Sequence, residues 1–262
     1  MEQEQGKLNT NVNTLDADAL LIGFTGSIGS GCTFIAKGIR DILSDNAKYY
    51  LVSDILRDIA KKNHTEENTK ILQDLGNQIR LENGNSRLVE LCIEKIKRDS
   101  KSESWDKENT IILIDGIKND GEVHYLRQFP NFYLISIHAD KSTRKKRVVG
   151  EHSYNNRFNA DDDFEKADAR DEHEDISYGQ QLKKCNYLAD IIIYNNTDYP
   201  NASATSKRKF FSDINANYIY PIQQSKRGAP AHDRPPSIDE TLMTMAYCVS
   251  KRSSCLKRKV GA

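Results

Sequence analysis

The chain lacks most of what would mark it for a membrane, for export or for a disulfide scaffold. No apolar run in its 262 residues approaches the ~20 needed to cross a bilayer, so no membrane partner is expected. Met1–Leu20 is acidic and polar, without the apolar stretch of a signal peptide, which argues against secretion. The cysteines Cys32, Cys92, Cys185, Cys248 and Cys255 contain no CxxC pair. Their scatter supports neither a zinc knuckle nor a disulfide framework, and it fits reduced thiols in the cytoplasm. Net charge is missing too, since 38 Lys+Arg balance 38 Asp+Glu. The broad basic field of a nucleic-acid-binding surface is therefore not expected. What is present, 29% charged and 37% hydrophobic residues, suits a polar globular protein with one sizeable core and room for part of a second.

One absence is local. Residues 21–33 read Leu-Ile-Gly-Phe-Thr-Gly-Ser-Ile-Gly-Ser-Gly-Cys-Thr, and the phosphate-binding loop pattern is G-x-x-x-x-G-K-[ST]. Gly26, Gly31 and Thr33 stand at its fixed positions, and Cys32 stands where the lysine belongs. A glycine-rich turn feeding a helix still aims backbone N–H groups and a helix N-terminus at a phosphate. The missing ammonium is the group that reaches the β- and γ-phosphates during transfer. The loop thus reads as built to hold a nucleotide phosphate and poorly built to move one. Its candidate nucleotide-binding residues are Gly26, Ser27, Ile28, Gly29, Ser30, Gly31, Cys32 and Thr33. The bland alternative is a glycine turn without a ligand. Thr33 carries the hydroxyl that would touch Mg²⁺, and Asp115, ending an apolar strand, is the candidate second carboxylate; a strand-terminal Asp-Gly is also an ordinary turn.

The pattern around the loop alternates strands and helices. Ala19–Phe24, Tyr49–Val52, Thr110–Ile114, Phe132–His138 and Asp190–Tyr194 read as strands. Thr33–Leu43, Lys70–Leu81, Ser86–Lys97 and Glu122–Arg127 read as helices, and Ser53 or Asp54 is placed to cap another running through Ala60. Alternation through 18–198 implies an α/β fold with a mostly parallel sheet flanked by helices, its ligand at the carboxyl ends of the strands. Residues 1–17 read as a disordered lead-in. From Thr197 the pattern decays, and the polar, proline-bearing stretch 199–233 reads as a linker. After it Ser237–Arg252 forms an amphipathic helix, with Ser237 and Glu240 as a capping box. Residues 234–262 then read as the truncated start of a second α/β domain.

The stretches GFTGSIGSG-T (23–33), LQDLGNQIRLENG (72–84) and IDGIKNDGEVHYLRQFPNFYLISIHAD (114–140) resemble the nucleoside-monophosphate and dephospho-coenzyme A kinases of the P-loop superfamily. RDEHE (170–174) and ADIIIYN (189–195) are similar to that family's lid and final strand. The resemblance implies lid arginines that clamp a transferring phosphoryl group; Arg144, Arg147, Arg157 and Arg170 are the candidates, against the alternative of a solvated charged surface. It also implies an acidic residue near the acceptor, at Asp54, for which helix capping is the alternative.

RPPSIDETLMTMAYCVSKRSSCLKRKVGA (234–262) resembles the opening of deoxycytidylate deaminases. A kinase-like P-loop domain linked to such a deaminase is the architecture of a bacterial two-domain family that deaminates dCTP or dCMP and includes anti-phage defence enzymes. Here no H-x-E and no P-C-x-x-C follows residue 234, so the zinc-activated water and proton-shuttling Glu of that chemistry are absent from this chain. Zn²⁺ belongs to the full-length parent only, and no zinc site is expected here. The resemblance makes the chain the regulatory, nucleotide-binding half of a deaminase. It would bind a nucleoside triphosphate or deoxynucleotide with Mg²⁺ and pair with its own copy or with an intact parent deaminase. The alternatives are an active nucleotide or nucleoside kinase, with Lys37 or a lid arginine supplying the missing charge, and a non-catalytic nucleotide-binding subunit.

Overall fold

A continuous run of buried aliphatic residues makes the first strand, β1 (Leu20–Gly26), the centre of the sheet. A computed structural model of the chain describes residues 19–64, 68–102, 105–106, 109–149, 158, 161–197, 202–226 and 238–251. After β1 come α1 (Cys32–Leu43), β2 (Ala47–Leu51), α2 (Val52–Lys62), α3 (Thr69–Asn83), α4 (Arg87–Ser102) and β3 (Ile111–Asp115). The chain continues through α5 (Asp120–Leu126), β4 (Phe132–His138), α6 (Lys141–Val148), α7 (Asp161–Glu172), α8 (Leu182–Tyr187) and β5 (Ile191–Tyr194). All strand pairs are parallel, in the order β2-β3-β1-β4-β5. Parallel strands need both faces covered. Leu21, Ile112, Ile114, Phe132 and Leu134 pack on one face with residues of α2, α4 and α5, such as Leu56, Ile93 and Val123. Alternation turns Leu20, Ile22 and Phe24 to the other face, where α1 buries Ile35 and Ile39.

The register sets Phe24 beside Asp115 and Gly26 beside Ile137. The loop after β1 and the carboxylate ending β3 therefore emerge side by side at the carboxyl edge. In open α/β sheets this edge is where ligands bind.

Several boundaries differ from expectation. Ser53 and Asp54 do not cap α2; Leu51, with φ −107° and ψ 119°, is its N-cap and makes no side-chain bond. β2 runs straight into the helix, so both polar side chains fall in the first turn, where Arg57 engages them. Side-chain caps are found instead at Asn68 on α3 and in the Asn119–Glu122 capping box on α5. Between β4 and β5, where no helix is read from the sequence, α6, α7 and α8 form.

Residues expected to be a linker are also helical: α9 (Ala204–Ile214) is followed by α10 (Tyr220–Lys226). α9 packs on α1, with the Phe211 and Phe34 ring centroids 4.9 Å apart and Ile214 buried. Local polar composition loses here to one aromatic anchor, which finds its room over Gly38. The chain divides into units Met1–Tyr218 and Ile219–Ala262. The second contains α11 (Ile238–Lys251), whose Leu242, Met243, Met245, Tyr247 and Val249 are exposed. The expected lead-in 1–17, Ser237 and the tail beyond 251 lie outside the described residues. Among those described, no helix is long and apolar enough to cross a membrane.

Candidate functional site

Backbone geometry makes the loop. Gly29 has φ 81°, and a Cβ there would stand 2.5 Å from the Arg144 carbonyl oxygen. Gly31, at φ 88° and ψ 21°, is the N-cap of α1 and supplies no side-chain cap. Both positions sit in the left-handed region that an L side chain rarely adopts. The first turn of α1 contains no acidic residue, so its leading N–H groups have neither a carboxylate nor a capping oxygen within the element. That arrangement favours an external anion.

Beneath the loop, Asp115 is buried at 1% exposure and gathers three donors. Thr33 Oγ1 donates to its Oδ2 at 2.6 Å, Tyr49 OH to the same oxygen at 2.7 Å, and Cys32 Sγ to Oδ1 at 3.0 Å. Burial first, then the Asp115 charge and hydrogen bond, push the Cys32 thiol well above its ordinary value of 9.0. The same causes raise the Tyr49 phenol, so both groups remain protonated donors. Cys32 thus turns inward to the carboxylate as a neutral group and supplies no charge to the cleft. The two residues singled out for Mg²⁺, Thr33 and Asp115, stand together. Their oxygens, hydroxyl and carboxylate, are the hard donors that a magnesium ion takes.

Three of the four arginine candidates make contacts within the protein. Arg144 is ion-paired to both oxygens of Asp168 and donates to the Ile28 carbonyl at 3.0 Å. Arg147 donates to Gly29 O at 3.0 Å and Ser30 O at 3.2 Å, and to the carbonyls of Asn195 and Thr197. Asn195 Nδ2 adds a second bond to Ser30 O, 2.6 Å long. With its carbonyls held from the α6 side and the end of β5, the loop is fixed before any ligand arrives. The Ile28 side chain completes the attachment by packing with Val148, Phe158 and Phe164. Arg170 pairs with Glu174 and Asp74, and Arg157 lies outside the described residues. Lys37 places its ammonium 5.8 Å from the centroid of the Tyr49 ring.

Two residues that the sequence reading passed over complete the site. Lys118 Nζ donates to Gly26 O at 2.9 Å and to Asp171 Oδ2 at 2.7 Å. The same carboxylate oxygen accepts the Ile28 N–H at 3.0 Å. Both residues fall inside stretches that carry the kinase resemblance, 114–140 and 170–174, but the phosphate-loop spacing singles out neither.

The loop opens into a cleft of about 570 Å³ that continues past Thr33 and Lys118 to Ser53, Arg57, Gln73 and Arg80. Arg80 Nε and Nη2 both donate to Glu122 Oε1, at 3.0 and 2.7 Å, which holds a buried guanidinium at the far wall. Asp54 is not part of this lining; it is bonded to Arg57 at 2.9 Å.

No family model matches the chain. A UPF0200 protein of Methanococcus maripaludis strain C6 is 28% identical over 182 residues, 68% of this chain and 89% of the relative. A second, from strain S2 of that species, is 28% identical over 200 residues, 75% of this chain and 99% of its own. A UPF0200 protein of Sulfurisphaera tokodaii is 29% identical over 129 residues, 49% of this chain and 64% of the relative. Among solved structures, a shikimate kinase from Bacteroides thetaiotaomicron gives a TM-score of 0.45 at 12% identity, covering 75% of this chain and 97% of that one. The fold assignment rests on the chain's own sheet order and loop.

Proposed function

We propose that the domain spanning 18–198 binds a nucleoside triphosphate or deoxynucleotide through its phosphates, on Gly26–Thr33, with Mg²⁺ held by Thr33 and Asp115. The observation that carries this reading is the 2.6 Å bond from Thr33 Oγ1 to Asp115 Oδ2, set directly under an uncapped helix N-terminus. The ion supplies charge neutralisation to the phosphates when bound. The chain's own residues do the rest. Loop N–H groups orient the phosphates, Arg144 and Arg147 keep the loop from collapsing, and Tyr49 holds Asp115 in place.

The neutral, inward-facing Cys32 thiol supports a binding and regulatory role over rapid phosphoryl transfer. The string 234–262 supports a finer version, in which this domain is the regulatory half of a deoxycytidine nucleotide deaminase, acting with a second copy or with an intact parent. A second reading, an active kinase, is favoured by one observation: the cleft continues beyond the loop to Arg57 and Arg80, leaving room for an acceptor.

Thermal melting with Mg²⁺ and nucleotide, run beside a phosphoryl-transfer assay, separates the readings. The expected result is a raised melting temperature through linkage, lost in Asp115→Asn, with turnover far below the 1–100 s⁻¹ typical of kinases, roughly. Turnover within that range would establish the kinase, and no thermal shift with any nucleotide would remove both readings.

A further inference from the structure

The cation missing from position 32 is present at the loop by another route. The backbone at Lys118 is pinned on both sides: its N–H donates to Glu122 Oε2 at 2.8 Å, and its carbonyl accepts the Gln181 N–H at 2.8 Å. Glu122 is itself buried and bonded to Arg80, so the turn after β3 is rigid and sends the lysine side chain to the loop's first glycine. The Lys118 side chain is 22% exposed and that of its partner Asp171 only 1%. Both line the cleft that also contains Thr33 and Asp115.

The Asp171 oxygen is bound by an ammonium and a backbone amide of the glycine loop. An anionic oxygen held by these two donor types, at this loop, has the ligation of a nucleotide phosphate oxygen. The other cations touching the loop are committed elsewhere. Arg147 donates to four carbonyl oxygens, and Arg144 to Asp168 and Ile28 O. Lys118 pairs with a carboxylate that lines the cleft.

We propose that Lys118 and the Ile28 N–H form an anion subsite of the loop, and that Asp171 occupies it until a phosphate oxygen displaces the carboxylate. The inference rests on the phosphate-binding reading above and adds to it the cation and its competitor. No bond is made or broken in the exchange: one anion leaves an ammonium and an amide, and another takes its place. The Arg144–Asp168 pair and the Ile28 packing keep α7 against the loop, so the Asp171 side chain is what must turn away. Occupancy of the loop is thereby coupled to the position of the Asp171 side chain.

The test uses the full chain and Mg²⁺ with inorganic tripolyphosphate, a probe that needs no base contact, followed by calorimetry. Lys118→Met should weaken binding by about tenfold to a hundredfold, the value of one charge-assisted contact. Adding Cys32→Lys to that variant should restore it, which a merely structural lysine would not allow. Asp171→Asn keeps an acceptor for the Ile28 N–H but removes the competing charge, and should tighten binding by about tenfold. Binding by Lys118→Met equal to that of the unaltered chain would overturn the role of Lys118 while leaving the loop reading intact. Weaker binding by Asp171→Asn would overturn the displacement. If the unaltered chain binds neither tripolyphosphate nor any nucleotide, this inference and the reading beneath it fall together.

Discussion

Asp115 collects hydrogen bonds from residues 33, 49 and 32, on α1, β2 and the start of α1 respectively. Two of its donors were expected to face a ligand. Thr33 and Asp115 were legible because each follows from one local pattern, a motif spacing and an apolar strand ending in a carboxylate. Lys118 was not, because its contact with Gly26 spans 92 residues and exists only once β3 and β1 lie side by side. Arg144 and Arg147 were found as cations near the loop, and their contacts are with Asp168 and with backbone carbonyls. Charge alone does not say whether a guanidinium meets a phosphate or a backbone carbonyl. The Cys32 environment makes a direct prediction. A thiol whose folded value lies above its unfolded one stays protonated in the native state after the unfolded chain has ionised. It therefore contributes stability below pH 9.0 that is lost as pH rises toward the folded value. Cys92, pushed up to about 12 by burial, acts with the same sign. Urea midpoints should fall above pH 9.0, with each such thiol contributing about 1.4 kcal/mol per pH unit at most. At pH 8, iodoacetamide should modify the exposed Cys248 well before Cys32. A flat stability profile with equal labelling would mean that the Cys32 thiol is not held by Asp115.

At the scale of elements, hydrophobic periodicity located every strand and most helices of the sheet domain, and it failed where composition replaced it. α9 carries polar residues along most of its length, so its stretch read as a linker; Phe211 and Ile214 were too few to show a face. The decisive partner is a glycine on another helix. A Cβ at Gly38 would collide with the Phe211 ring, so α1 accepts α9 only where a side chain is missing. Gly38→Ala should therefore destabilise the domain by about 1–3 kcal/mol through overpacking, despite the better helix propensity of alanine. In a Phe211→Ala background the same change should be neutral or stabilising. Chemical denaturation of the four variants of this cycle reads the coupling. Additive effects would show that α9 does not rest on α1. The α2 boundary teaches a related point. Ser53 and Asp54 have the right chemistry for caps, yet the strand's end sets where the helix starts.

For the whole molecule, the balance of charge and the parallel sheet direct attention to one edge. The loop, Asp115, Lys118 and the cleft all gather at the carboxyl ends of β1 and β3, where the strand order puts sequence-distant groups together. The sequence made that edge legible as the ligand end of an α/β fold. It could not show that α6 and α7 already grip the loop through Arg144, Arg147 and Asp171, because those contacts depend on how the two helices return to the sheet. On this reading the edge recognises phosphates with a magnesium ion. Calorimetry with ATP, AMP and adenosine, and in parallel dCTP, dCMP and deoxycytidine, tests it directly, each titration run with Mg²⁺ and again with chelator. Affinity should rise with phosphate number in at least one series, and triphosphate binding should fall when the metal is removed and in Thr33→Ala. A nucleoside that binds as tightly as its triphosphate, unaffected by chelator, would contradict it.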